Sequence, residues 1–171
     1  MEYQHITHGF EPVYDKNSRV LILGSLPSVK SREAGFYYGH PQNRFWSVVS
    51  QLCGEPLPKD TEEKKGILLR HGIALWDVIY ECDIKGSDDA SIRNAVPTDI
   101  SSLLAATEIE RVYVNGKTAK RIYDRYQFKT TGKQAYVLPS TSPANAAFRM
   151  EELVSRWGVI KDLLVNVKEQ Q

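Results

Sequence analysis

Only two of the 171 residues are cysteine, Cys53 and Cys82. Two thiols build no disulfide framework and cannot give an iron–sulfur cluster its four ligands, so both read as buried thiols. Histidine is scarce as well. His5, His8, His40 and His71 form no paired motif, and the first two stand near a terminus, where ligands are poorly held. Neither a metal nor any other cofactor is therefore expected. Long apolar runs are missing, which leaves no candidate for a bilayer-spanning helix, and Met1 to Phe10 lacks the continuous apolar stretch of a signal peptide. A cytoplasmic protein is expected, nuclear if the source has a nucleus, with no membrane partner. An excess of one charge is also missing: 22 Lys and Arg face 21 Asp and Glu, a formal net charge of +1. That balance argues against non-specific coating of nucleic acid and leaves room for a small basic face.

What is present is an ordinary globular composition, 42% apolar and 25% charged, over a length suited to one core. A single domain over residues 1–171, acting as a monomer, is the expectation. Val20-Leu-Ile-Leu23, closed by Gly24, reads as a buried parallel strand. Ile73 to Ile79, Arg111 to Asn115 and Ala135 to Leu138 read as three more. Between them lie helical patterns. One opens at Asn43, placed at the N-cap or first turn, with Phe45, Val48, Val49 and Leu52 at helical spacing. Others run from Thr61 to Arg70, closed by His71-Gly72, from Asp99 through Ala106, and from Lys117 to Tyr126. A last helix is predicted from Arg149 to Val165, with Leu153, Trp157, Ile160 and Leu164 on one face. The polar stretch Asp83 to Asn94 is expected to run over the surface.

Strands alternating with helices imply a three-layer α/β/α sandwich around a central four-stranded, mainly parallel sheet. Ligands of such sheets bind outside the carboxyl ends of the strands. Two unusual loops belong there, Gly24 to Asn43 and Pro139 to Asn145. The first begins Gly24-Ser-Leu-Pro-Ser-Val-Lys-Ser31, which approaches the phosphate-binding pattern G-x-x-x-x-G-K-[ST] and fails it. Val29 stands where a glycine must let the backbone curl, Pro27 removes a donor N–H, and no clear helix is expected after Ser31.

Gly24-Ser-Leu-Pro-Ser28, Phe36-Tyr-Tyr-Gly-His-Pro-Gln-Asn-Arg-Phe-Trp46 and Leu138-Pro-Ser-Thr-Ser-Pro-Ala-Asn145 together resemble the signature blocks of the uracil-DNA glycosylase superfamily. The resemblance is strongest to its hypoxanthine-DNA glycosylase branch, related to the mismatch-specific uracil-DNA glycosylases. It spans about Val20 to Arg149, including Gly72-Ile-Ala-Leu-Trp-Asp-Val-Ile79 and Val114-Asn-Gly116. It implies a monofunctional DNA glycosylase that hydrolyses the N-glycosidic bond of deaminated bases, preferably hypoxanthine, during base excision repair. The partner is then DNA containing a damaged base. Two other readings stay open: a uracil- or mismatch-specific glycosylase, and a non-catalytic lesion-binding module of the same fold.

Much of the superfamily carries Asp or Asn at the third position of the first block, to position the attacking water. Here that place is Leu26, which cannot hold a water. The branch's essential asparagine matches Asn43. N-glycosidic cleavage passes through a sugar cation, so a site must hold a water on one side of it and stabilise the departing base on the other. An amide can orient a water through its carbonyl oxygen and donate its N–H elsewhere, although Asn43 can equally cap its helix. Tyr38 matches the aromatic that stacks on an extruded base, the alternative being that both tyrosines pack under the loop, and Tyr37 is read as core or rim. His40 is a minor base-binding candidate, more ordinarily a turn residue. Ser25 and Leu26 line the expected base pocket, and Ser28 is a candidate for a phosphate. Ser140, Thr141, Ser142, Pro143, Ala144 and Asn145 match the segment that enters DNA at the vacated position, a stiff wedge with hydroxyls for phosphate or the widowed base. The alternative for this segment is an N-cap at Ser142 with Pro143 in a helix's first turn. Leu138 replaces the His or Asn common before this Pro-Ser in uracil-specific enzymes. Arg149, Lys117, Lys120 and Arg121 flank the strand ends as phosphate candidates, against the plainer reading of solvated helix charges.

Overall fold

Val20–Gly24 (β2) is apolar throughout and buried at every position, so it is stable only with both edges paired and both faces covered. The computed structural model, which describes residues 2–86 and 88–165, gives it that setting. β2 pairs in parallel with Ile73–Asp77 (β3) on one side and Arg111–Asn115 (β6) on the other, and β6 pairs in parallel with Ala135–Leu138 (β7). The order is β3-β2-β6-β7, which bears out the expected four-stranded sheet.

Alternation along these strands divides the interior into two halves. Val20, Ile22, Ile73, Leu75, Tyr113 and Leu138 point to one face, where Phe45–Cys53 (α2), Thr61–His71 (α3) and Met150–Trp157 (α7) cover them. Leu21, Leu23, Ala74, Val112, Val114 and Ala135 point to the other, under Ile100–Ala105 (α4) and Lys117–Tyr126 (α5). Tyr3–Thr7 (β1), Ile79–Lys85 (β4) and Asp88–Pro97 (β5) form a second, antiparallel sheet in the order β1-β4-β5, whose Ile6, Ile79, Cys82 and Ile84 join this second half.

Four expectations need correction. The polar stretch 83–94 belongs to β4 and β5; its alternation is masked because irregular pairing shifts the register three times along the hairpin. Ser31 lies inside a short helix, Val29–Ala34 (α1), whose N-cap is Ser28. The last helix is α-helical only to Trp157 and tightens into a 3₁₀ segment over Gly158–Leu163, although Leu153, Trp157 and Ile160 are buried together as expected. Cys82 is a buried thiol, whereas Cys53 is half-buried. A four-residue helix, Phe128–Thr131 (α6), precedes β7. Among the described residues no helix is long and apolar enough to cross a membrane.

Candidate active site

A cavity of about 1050 Å³ opens at the carboxyl ends of the four parallel strands. Gly24, Asp77, Asn115 and Leu138, the last residues of β2, β3, β6 and β7, all line it, together with the loops that follow β2 and β7. The two loops that the sequence placed here are therefore in contact across it.

Asn43 is held at their junction. Its Oδ1 accepts the backbone N–H of Phe45 at 2.9 Å and the hydroxyl of Thr141 at 2.8 Å. Because Phe45 N–H can only donate, the facing atom must be the oxygen, which settles the orientation of the amide. Asn43 stands just before the N-cap, Arg44, and caps α2 through Phe45. Both lone-pair directions of Oδ1 are occupied, so the expectation that this oxygen orients a water is corrected. What Asn43 presents to the cavity is its NH₂, which no protein group among the described residues accepts.

Thr141 links three elements. Its side chain takes Asn115 Nδ2 at 3.0 Å while donating to Asn43, and its backbone N–H reaches Asn115 Oδ1 at 3.1 Å. Thr141 is 0% exposed, so a direct DNA contact by this residue is corrected too: it positions Asn43. Arg44 does comparable work on the backbone. Its guanidinium donates to the carbonyls of Phe148, Ser142 and Asn145, and its N–H reaches Thr141 O at 3.0 Å. Asn145 turns inward, donating to Ser140 O at 2.9 Å. Ser140 and Ser142 accept the N–H groups of Ser142 and Ala144, shaping a tight loop whose exposed tip is Pro143-Ala144. Ser142 is not a helix cap, since α7 begins only at Met150.

Tyr38 adopts φ 53°, a left-handed conformation that tyrosine takes at a cost of roughly 1–2 kcal/mol. One ring face lies on Phe45, with centroids 4.1 Å apart and planes 17° apart, and the tyrosine lines the cavity. Its hydroxyl is buried with no partner at full hydrogen-bond geometry, and burial, reinforced by Asp77 and partly offset by neighbouring Asn115, pushes its pKa upward. Tyr37 is buried beneath the loop, donating to Glu11 O at 2.8 Å, as the plainer reading had it. His40 lines the cavity while its Nδ1 accepts Gln42 N–H at 3.0 Å. Ser25 and half-buried Leu26 line it as well. Ser28 also borders it, but its oxygen accepts Ser31 N–H and its hydroxyl donates to Ser31 Oγ, so the helix cap occupies it. Of the basic candidates, Lys117 lines the cavity, Lys120 pairs with Asp124 at 2.8 Å, Arg149 is exposed, and Arg121 lies in a separate recess beside Asp89.

Asp77 was not singled out from the sequence. It is a buried carboxylate in the wall of the cavity, and its Oδ2 meets Nε2 of His8, also buried, at 2.8 Å. An aspartate ending a buried parallel strand was the available signal. His8, 69 positions earlier, offered none.

The ends of the parallel strands thus enclose an amide, an aromatic ring and a carboxyl group beside a projecting Pro-bearing loop. The profile described as "Uracil DNA glycosylase superfamily" matches residues 11–163. A "Hypoxanthine DNA glycosylase" of Methanosarcina acetivorans is 39% identical over 145 residues, covering 84% of this chain and 90% of that one. Another protein so named, from Methanosarcina barkeri, is 35% identical over 139 residues, covering 80% and 87%. A solution NMR structure from Methanosarcina acetivorans, described as a candidate uracil DNA glycosylase, superposes with a TM-score of 0.77 at 34% identity, covering 92% of this chain and 97% of that one. The chain belongs to the uracil DNA glycosylase superfamily, and it is a DNA glycosylase, a hydrolase acting on N-glycosyl bonds.

Proposed function

We propose that this glycosylase is monofunctional, acts as a monomer without a metal or other cofactor, and removes hypoxanthine from DNA in preference to uracil. The observation that carries the reading is the geometry of Asn43: an amide fixed through its oxygen by Phe45 and Thr141, with its NH₂ facing a cavity lined by Tyr38. As the N-glycosidic bond breaks, its electron pair stays with the base, and negative charge spreads to the base's carbonyl oxygen. A preorganised N–H pair aimed there gains strength as that charge grows, which lowers the barrier. The same N–H pair would do less for the water, because donating to its oxygen weakens the lone pair that must attack.

Tyr38, backed by Phe45, offers the extruded base a rigid stacking surface, and the larger π-face of a purine gains more from it. Leu26 and Leu138 remove polar groups from two positions where uracil-specific relatives hold them, which shifts discrimination from hydrogen bonding toward stacking and shape. The two Methanosarcina relatives are named for hypoxanthine, which supports the same choice. The exposed Pro143-Ala144 tip fills the space the base vacates. Lys30, the one lysine in the two loop motifs, is exposed, pairs with Glu33 and does not line the cavity, and Lys117 reaches it from outside those motifs, which supports water as the nucleophile.

The test is single-turnover release from oligonucleotides identical except for inosine or uracil opposite the same base. Hypoxanthine leaves at least about tenfold faster, a barrier difference of about 1.4 kcal/mol. Comparable rates, or faster uracil release, overturn the preference and leave the glycosylase assignment standing.

A further inference from the structure

A water that attacks the sugar has to lose a proton, and the Asn43 amide, which only donates into the cavity, cannot take it. The titratable groups lining the cavity offer few acceptors. Lys117 and Arg156 carry donors only, and burial raises the hydroxyls of Tyr37 and Tyr38 well above their ordinary 10, so both stay protonated. His40 accepts Gln42 N–H at Nδ1, which leaves Nε2 as its N–H. Asp77 is bound by His8 through Oδ2 and lies with the Tyr38 hydroxyl against Gly24, beside the stacking ring. The one carboxylate left is that of Asp89.

Asp89 stands near the start of β5, and the β4–β5 hairpin walls the cavity through Ile84, Gly86 and Asp89. It is half-buried, and among the described residues no donor hydrogen-bonds its carboxylate. The two sides of the cavity belong to different halves of the core. Tyr38 packs on the half beneath α2, where Phe45 backs its ring and Asn43 caps the helix. Leu26 packs on the other half, as do Ile84 and Ile92 of the hairpin. A base stacked on Tyr38 with its carbonyl toward Asn43 turns the far face of its sugar toward the hairpin, the side from which in-line attack on C1′ has to come. Burial pushes the pKa of Asp89 above its ordinary 3.8; Arg121 of α5 offsets part of this, and Asp88 adds to it. Arg125, one turn further along α5, is the other charged group of the recess behind Asp89.

We propose that Asp89, carried into the cavity wall by the second sheet, is the catalytic residue that accepts the proton of the attacking water. The water oxygen bonds to C1′ as the C1′–N9 bond breaks. The electron pair of the broken bond leaves with hypoxanthine, which takes a proton from solvent, while the proton of the water passes to Asp89 and from there to solvent. The same negative charge faces the sugar cation and lowers its energy. Leu26 leaves the first loop without a carboxylate in the cavity wall, and the hairpin supplies one on the side where Leu26 lies.

This role rests on the proposed glycosylase chemistry, and single-turnover hypoxanthine release from about pH 4.5 to about pH 8 tests it. The parent rate rises with pH along a limb that lies above 3.8 and then levels off, because protonated Asp89 cannot accept. Asp89→Asn lowers the plateau rate at least about a hundredfold and removes the limb, while binding of lesion DNA stays within about threefold of the parent. Formate restores Asp89→Ala at least about tenfold and does nothing for Asn43→Ala. A carboxylate that served only to hold Arg121 would show neither the lost limb nor the rescue. Release by Asp89→Asn within about threefold of the parent, a limb that survives in that variant, or no formate rescue of folded Asp89→Ala overturns the proposal while the parent remains a glycosylase. A parent that releases neither hypoxanthine nor uracil overturns the functional reading along with it, and borohydride trapping of a covalent protein–DNA adduct overturns water as the nucleophile.

Discussion

At the scale of single residues, Asn43 shows how a side chain acquires a direction. The oxygen is held by a helix N-terminus and a buried threonine, so only the donor end is left for chemistry. Asn43→Ala should therefore lower single-turnover base release by at least about a hundredfold. Asn43→Asp is the sharper probe, because it keeps both accepted hydrogen bonds and replaces the NH₂ donors by a charged acceptor oxygen. It should fold like the parent and be as impaired as the alanine variant; activity within a few-fold of the parent would show that the acceptor, not the donor, matters. For Tyr38, removal of the ring in Tyr38→Ala should weaken capture of lesion DNA by about 1–3 kcal/mol, read by titration binding. Tyr38→Phe should be mild, because the buried hydroxyl has no well-formed hydrogen bond to lose, its one polar neighbour being Asn115. Equal losses in the two variants would assign the hydroxyl a role that its surroundings do not show.

Elements place those residues. The loop after β7 is held in shape chiefly by Arg44, whose three acceptors are carbonyls of Ser142, Asn145 and Phe148. Arg44→Ala should cost about 2 kcal/mol in denaturant unfolding by leaving those carbonyls short of a donor, and it should lower activity further by freeing the wedge. At the opposite edge, β1 is tied to β4 by His5, which meets Asp83 at 2.9 Å and Glu81 at 3.3 Å. Asp83, and then Glu81, raise the pKa of His5 above its ordinary 6.5. Asn94, and then His5, lower that of Asp83 below 3.8. A raised histidine contributes stability that is complete below 6.5 and lost as pH rises through its folded value. A depressed aspartate contributes stability present above 3.8 and lost as pH falls through its folded value. The attachment of β1 is thus strongest between pH 3.8 and 6.5. Amide-exchange protection over Tyr3–Thr7, corrected for intrinsic exchange, should fall from pH 6 to pH 8, and His5→Gln should remove that fall. A pH-independent profile in the parent would show that the pair does not hold the strand.

For the whole molecule, a net charge of +1 and a cavity whose lining holds Lys117 and Arg156 as its Lys and Arg side chains imply few phosphate contacts. With about two phosphates neutralised, the logarithm of the DNA association constant should fall against that of salt with a slope near −2, and Lys117→Ala should reduce that slope by about 0.9. A slope steeper than about −5 would require a basic surface that these residues do not form. By itself the sequence determined the four parallel strands, from short apolar runs, and the loops at their carboxyl ends, because that information lies in consecutive residues, although the second run, read as Ile73 to Ile79, ends at Asp77 and Ile79 opens β4. It also determined the family, through motif blocks whose order along the chain survives folding. It did not reveal the β1-β4-β5 sheet, since a polar, irregularly paired hairpin carries little apolar alternation, nor that Thr141 is buried within a loop of hydroxyls. Which end of the Asn43 amide faces the cavity, and that His8 stands behind Asp77, were decided only by tertiary structure. Both depend on partners 98 and 69 positions away, and a hydrogen bond across that distance exists only after the sheet has brought its strand ends together.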